Sequence, residues 1–344
     1  MRIALVLAAC AACDSSPVGE AAPEPTAAQT TPAPAAAGPA ASGARAPRFA
    51  VPDARSRVRA AGVLAGLTDE LRAAFAPGPG FIPIAAPQPG DWLAEHDEPG
   101  QTYDAFVASR SNRPGAGGRR TNYIVPLGDL GPAAPPLAVL ADFTRAHFQL
   151  PVRVLPAIAA DDVRAQTRRH DGRMQMLATD VLEHLRSILP ADAYCLVGLT
   201  AVDLYPEPSW SFVFGMASFR ERVGVYSIAR YHPPSGGRDA ASWVRSRALK
   251  VMAHEIGHMF GMEHCTFYEC VMNGSNHLAE TDRRPMNLCP VCLRKLFHAV
   301  GFAPGRRYRE LARFFAGHGL ETEAAWAKAR AGELARVSRP PAPP

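Results

Sequence analysis

The sequence predicts an α+β fold in which a mixed, twisted sheet lies against helices, and three observations lead there. Short apolar runs of strand length, Asn122–Leu127, Tyr194–Leu204, Phe212–Ser218 and Gly224–Ala229, sit in the middle of the chain between turn residues. Segments with apolar residues at helical spacing bracket them, at Arg57–Ala74, Met174–Leu189, Arg307–Gly317 and Glu321–Leu334. At 344 residues and 47% hydrophobic, the chain can bury one large core, which suits a single sheet with helices behind it.

The first fifty residues differ from the rest. Met1-Arg2 precedes the apolar Ile3–Ala9 and then Cys10, so residues 1–14 read as a bacterial lipoprotein signal with Cys10 as the lipidated residue and Cys13 as the alternative. Residues 15–55 are rich in Ala and Pro, a composition that forms no packed core and tethers a domain away from a surface. The expectation is a lipid-anchored protein of the cell envelope, with a cytoplasmic protein as the alternative. Residues 56–337 then form one domain.

Within that domain Thr68-Asp69-Glu70 marks a helix restart, and 77–136 is loop-rich, broken by Pro and Gly. Pro151–Ile158 alternates as a strand does. Met174–Leu189 is expected to be one helix burying Leu177, Val181, Leu185 and Ile188. Tyr194–Leu204 is apolar almost throughout, the pattern of a strand buried on both faces, with Cys195 as a small buried hydrophobe. Phe212–Ser218 and Gly224–Ala229 form a pair joined through Arg220-Glu221-Arg222. The helix Ser242–Gly261 packs through Val251, Met252 and Met259, and two helices divided by Gly317-His318-Gly319 close the chain.

The chemistry lies at the end of that central helix. His254 and His258, four residues apart, project from one face and can share a metal ion, while Glu255 can take the proton of a zinc-bound water attacking a carbonyl carbon. Gly261 lets the chain leave the helix in a left-handed conformation, and His264 arrives from outside as third ligand. Three protein ligands leave the fourth position open, as in catalytic rather than structural zinc sites. Cys265, Cys270, Cys289 and Cys292 fall within 28 residues and can close a four-sulfur structural zinc site. A pair of disulfides, or a redox-active Cys-x-x-Cys, are the other uses of those thiols.

With these residues in view, the chain resembles the archaemetzincins, a branch of the metzincin clan of zinc metallopeptidases, especially the eukaryotic-type members. The resemblance runs over the zinc helix, the histidine-cysteine step, Cys265 and Cys270, Met272, and Arg283–Leu293. Pro89–Leu93, Gly100-Gln101-Thr102 and Trp210–Gly215 extend it upstream, so that it covers roughly residues 80–335. It implies a metzincin-like zincin domain with a long zinc helix, two zinc ions, and Met272 in the turn beneath the histidine site. It also implies an antiparallel edge strand, with Phe214, Gly215, Met216 and Ala217 offering backbone groups to a substrate peptide. Asn273–Leu288 lacks the tyrosine that other metzincins carry there, so no side-chain donor for the transition-state oxyanion is identified.

The expected activity is zinc-dependent peptide-bond hydrolysis, with endo- or aminopeptidase action and oligomeric state left open. A zinc-stabilised binding or scaffolding protein is the alternative. A net charge of +5 without a basic run interleaved with aromatics excludes a nucleic-acid partner; the partners expected are a peptide substrate and, through the anchor, a membrane. His96, His147, His170, His184, His232, His298 and His318 are expected at the surface or satisfied locally, and His277 in a structural role.

Overall fold

A computed structural model describes residues 49–109, 112–231 and 240–338, and the backbone of 5–9. Cys10, Cys13, the linker up to residue 48, and His232 lie outside the described residues. In chain order the elements are β1 (Leu5–Ala9), α1 (Ala54–Ala60), α2 (Asp69–Phe75), α3 (Trp92–Glu95), α4 (Tyr103–Ala108), β2 (Thr121–Leu127), α5 (Leu137–Phe148) and β3 (Val152–Val154). Next come β4 (Thr167–His170), β5 (Arg173–Leu177), α6 (Ala178–Ser187), β6 (Ala193–Thr200), β7 (Asp203–Tyr205), β8 (Val213–Ser218) and β9 (Val223–Ser227). The chain then runs through α7 (Ala240–Met259), α8 (Leu278–Arg283), α9 (Pro290–Val300), α10 (Pro304–Gly317) and α11 (Glu321–Val337).

The fold is α+β, and the sheet is mixed, in the order β3-β2-β6-β9-β8-β7-β5-β4. β2 runs parallel to β3 and β6, and β6 parallel to β9, whereas β8 is antiparallel to β9. Side-chain alternation explains the apolar run in β6. Cys195, Val197 and Leu199 join the cluster that holds α5 and α7 on one face, and Leu196 joins the cluster under α6 on the other. β7 meets β8 only at Leu204 opposite Val213, which leaves the remaining flank of β8 uncovered by it. β1, expected as the apolar part of a signal, lies antiparallel along that flank, with Val6 opposite Ala217 and Leu7 opposite Met216. Among the described residues no helix is long and apolar enough to cross a membrane.

Several elements differ from expectation for identifiable reasons. Met174–Leu189 is not one helix: Arg173–Leu177 pairs with Thr167–His170 as a hairpin, and helix begins only at Ala178. Leu177 and Val181 share the helical spacing of the run, but Gln175 donates to Asp203 at 2.7 Å and ties this stretch to the sheet. Tyr194–Leu204 is two strands, broken at Ala201-Val202, where the Thr200 hydroxyl accepts from the Val202 amide at 3.0 Å and turns the chain towards β5 and β8. Pro151–Ile158 is strand only at β3, with Ile158 bridging to Leu127. Arg57–Ala74 is interrupted, and α2 restarts at the Thr68 cap as the sequence indicated. The loop-rich 77–136 carries two short helices, α3 and α4, the second capped by Thr102. The closing helical pair is present as α10 and α11.

Candidate active site

Helix α7 buries Ala248, Leu249, Met252, Ala253, Ile256 and Met259, spaced at three and four residues, and so keeps one face locked onto the sheet. That places His254 and His258 one turn apart, with their Nε2 atoms 2.9 Å from each other. Gly261 has φ +83°, and the chain turns back so that His264 Nε2 joins the same group, all three ligand atoms lying within 4.8 Å. Each outer ring nitrogen has an acceptor. His254 Nδ1 bonds Val271 O at 2.9 Å, and His258 Nδ1 bonds Met262 O at 2.7 Å. His264 Nδ1 lies 2.9 and 3.1 Å from the two carboxylate oxygens of Glu98.

Protons on the three Nδ1 atoms leave the Nε2 lone pairs free to converge on an ion. Burial, and then His264, push His254 down to about 3, and burial with both neighbouring imidazoles holds His258 well below the usual range, so the rings are in the neutral form that binds metal. His264 Nε2 and Glu255 Oε2 are buried without a hydrogen-bond partner, which is what a site shaped for a cation and a proton transfer leaves behind. Burial raises the Glu255 carboxyl to about 8.

Two glycines make this closeness possible. A Cβ on Gly215 would stand 2.5 Å from Glu255 Oε1, so β8 passes directly against the carboxylate. A Cβ on Gly257 would stand 2.3 Å from Met272 Sδ, which puts the methionine hard under the turn of helix between the two histidines. Beside Glu255 opens a cavity of about 40 Å³ lined by Phe214, Val251, Val271 and Pro285, with Lys250 and Arg284.

The four cysteines form a separate, fully buried cluster with ligand atoms within 4.8 Å. Cys265 Sγ and Cys289 Sγ are 3.6 Å apart, too far for a disulfide bond of about 2.05 Å, and all four thiols are free. Backbone amides point at the sulfurs: Met272 N and Cys289 N at Cys270 Sγ (3.5 and 3.3 Å), and Cys292 N at Cys289 Sγ (3.5 Å). Burial pushes the Cys270 and Cys289 thiols up while hydrogen bonds with the other three sulfurs hold Cys265 down, and a cation bound among them would displace the remaining protons. Asn273, which the sequence did not single out, ties the knuckle by accepting from Cys270 N (2.7 Å) and donating to Cys265 O and Tyr268 O (2.6 and 2.9 Å). The histidine triad and the cysteine cluster could together bind two zinc ions.

A third group, Asp91, His277 and Glu280, is already internally satisfied. Arg283 pairs with Asp91 at 2.6 Å, and Glu280 accepts from Trp92 N, Asn276 N and Arg284. His277 caps α8 by accepting from Glu280 N at 3.2 Å, the structural role expected of it. His147 is buried with neither nitrogen bonded and is pushed low by burial, while His96 stacks on Trp92 at 3.6 Å. Cys195 donates to Asn122 Oδ1 at 3.2 Å inside the core.

Three imidazoles around one point, with a partnerless carboxylate at the mouth of a cleft, meet the requirements of metal-assisted hydrolysis, the chemistry of zinc metallopeptidases. Comparison with known proteins narrows the class. The profile of peptidase family M54 matches residues 144–298. Archaemetzincin-2 of Macaca fascicularis is 36% identical over 68% of this chain and 74% of its own, and archaemetzincin-2 of Homo sapiens is 34% identical over 71% and 77%. A solved archaemetzincin from Methanopyrus kandleri is 29% identical, covering 53% of this chain and 96% of its own, with a TM-score of 0.43. The chain belongs to the archaemetzincin family of zinc metallopeptidases.

Proposed function

We propose that this peptidase cleaves peptide bonds with Glu255 as general base and then general acid, at a zinc held by His254, His258 and His264, and that Cys265, Cys270, Cys289 and Cys292 hold a second, structural zinc. The observation that carries the reading is Glu255 itself: 4% exposed, with one oxygen partnerless, set between the converging imidazoles and β8. The bound zinc would supply Lewis acidity, polarising the scissile carbonyl and easing deprotonation of a water. Glu255 takes the proton of the attacking water and hands it to the leaving amine. Its raised pKa suits a group that must hold a proton between the two steps, and a positive ion beside it would lower that value and favour the carboxylate that acts as base.

β8 supports a substrate strand, because Phe214–Ala217 runs past Glu255 with its outer flank free of β7. β1 pairs along that same flank, so removal of residues 1–9 by signal processing would clear it. Met272 forms the apolar floor beneath the imidazoles. Residues 56–337 would act as a single catalytic domain, and lipid attachment at Cys10 would place it on the cell envelope; palmitate labelling lost in Cys10→Ala checks the anchor.

The test of the catalytic assignment is mass-spectrometric mapping of cleavage in a diverse peptide mixture, with the protein taken with and without residues 1–50, beside Glu255→Ala. Cleavage should fall by about a hundred- to ten-thousand-fold in the variant while zinc content stays the same. Equal cleavage by a folded, zinc-loaded Glu255→Ala would remove the assignment.

A further inference from the structure

We infer that Glu98 is a positioning residue for the third zinc ligand, holding His264 in the tautomer and orientation that point Nε2 at the ion. The inference rests on the histidine ligand set proposed above. His254 and His258 bond backbone carbonyls, Val271 O and Met262 O, that come with the helix and the turn beneath it. His264 has left the helix, and its Nδ1 meets both oxygens of a carboxylate 166 positions earlier in the chain. The acceptor role is thus given to a side chain only where the ligand sits on a loop.

The surroundings of Glu98 are built around that loop. Gln101 donates to Gly261 O at 3.1 Å and accepts from Glu263 N at 3.3 Å, spanning the turn that delivers His264. Gly100, at φ +75°, lies so close that a Cβ there would meet Thr266 Oγ1 at 2.0 Å. Trp92 packs edge-on against His264 with ring centroids 5.0 Å apart. The stretch 98–101 therefore clamps 261–266, and it lies upstream of the residues matched by the family profile.

A carboxylate on Nδ1–H fixes which nitrogen carries the lone pair and stops rotation of the ring about its side-chain axis. Loss of such a partner lowers metal affinity by about 10–100-fold. Competition of the full-length protein against a chromophoric zinc chelator, with metal counted per chain, reads this directly. In Glu98→Ala one of two zinc ions should be held about 10–100-fold more weakly, with the second unchanged, and Glu98→Gln, whose amide oxygen still accepts, should recover most of the affinity. Glu98→Leu, which keeps volume but has no acceptor, serves where alanine does not fold. Unchanged affinity for both ions, or loss of both in step with a lowered melting temperature, overturns the inference. His264→Ala measured alongside tests the ligand set separately: retention of two tight ions there would refute the ligand reading and the inference with it, whereas loss of one ion there beside unchanged affinity in Glu98→Ala would overturn the inference alone.

Discussion

The histidine cluster and the cysteine cluster are neighbours in sequence and in space, yet they are built from opposite materials. Around the imidazoles stand a partnerless carboxylate, a cavity and a strand whose outer flank β7 leaves to β1. Around the thiols stand backbone amides, Asn273 and buried, largely apolar side chains, with all four cysteines 2% exposed or less. The contrast teaches how one short stretch can serve two ends: the site that must react keeps an uncommitted group and an opening, and the site that must hold closes every position.

The comparison breaks most visibly at the thiols. Structural zinc sites contribute about 10–16 kcal/mol of binding that doubles as folding free energy. Cys289→Ser should therefore release one zinc and abolish cooperative melting of the segment 265–292, checked by metal count and thermal denaturation together. Persistence of a sharp, unshifted transition would show that the cluster is not a staple.

A smaller effect sharpens the other half. With metal removed, the Glu255 carboxyl sits at about 8 in the fold against an ordinary 4.5, so its ionisation opposes folding. That penalty is absent below 4.5, grows as pH rises through 4.5–8, and is complete above 8. Metal-free Glu255→Gln should thus gain stability over the metal-free parent as pH rises, by on the order of a few kcal/mol at pH 8, and the gap should shrink when zinc is restored. Parallel stability curves across that range would mean the carboxylate is solvated.

The smallest effect lies at the floor. Gly257→Ala gains about 1 kcal/mol of helix propensity but drives a methyl to 2.3 Å from Met272 Sδ, for an overpacking cost of about 1–3 kcal/mol. The net expectation is a loss of up to about 2 kcal/mol, partly recovered in the Gly257→Ala/Met272→Ala double variant by calorimetry. A neutral Gly257→Ala would mean that Met272 is free to move.

What the sequence revealed follows the distance over which each feature is assembled. His254, Glu255, His258, His264 and the four cysteines were legible because helical repeat and knuckle spacing place ligands within one local segment. Glu98 was not, because nothing near it in the chain announces an imidazole 166 positions away. Gly215 was expected to offer backbone to a substrate, but its role in admitting the Glu255 carboxylate needed the approach of β8 to α7. The same limit explains β5. Met174–Leu177 carries apolar residues that suit a helix as well as a strand, and the deciding partners, Thr167–His170 and Asp203–Tyr205, lie elsewhere. Among helices, α10 and α11 were visible because each buries a continuous stripe against the other.

The peptide bond between His264 and Cys265 gives the order of assembly a meaning of its own. With an ion closed among the thiols, His264 would be held beside the other two imidazoles, and its arrival would become an intramolecular event governed by effective concentration rather than by search. Oxidation of the thiols would release that restraint on His264 and weaken hydrolysis without altering any group that touches the substrate.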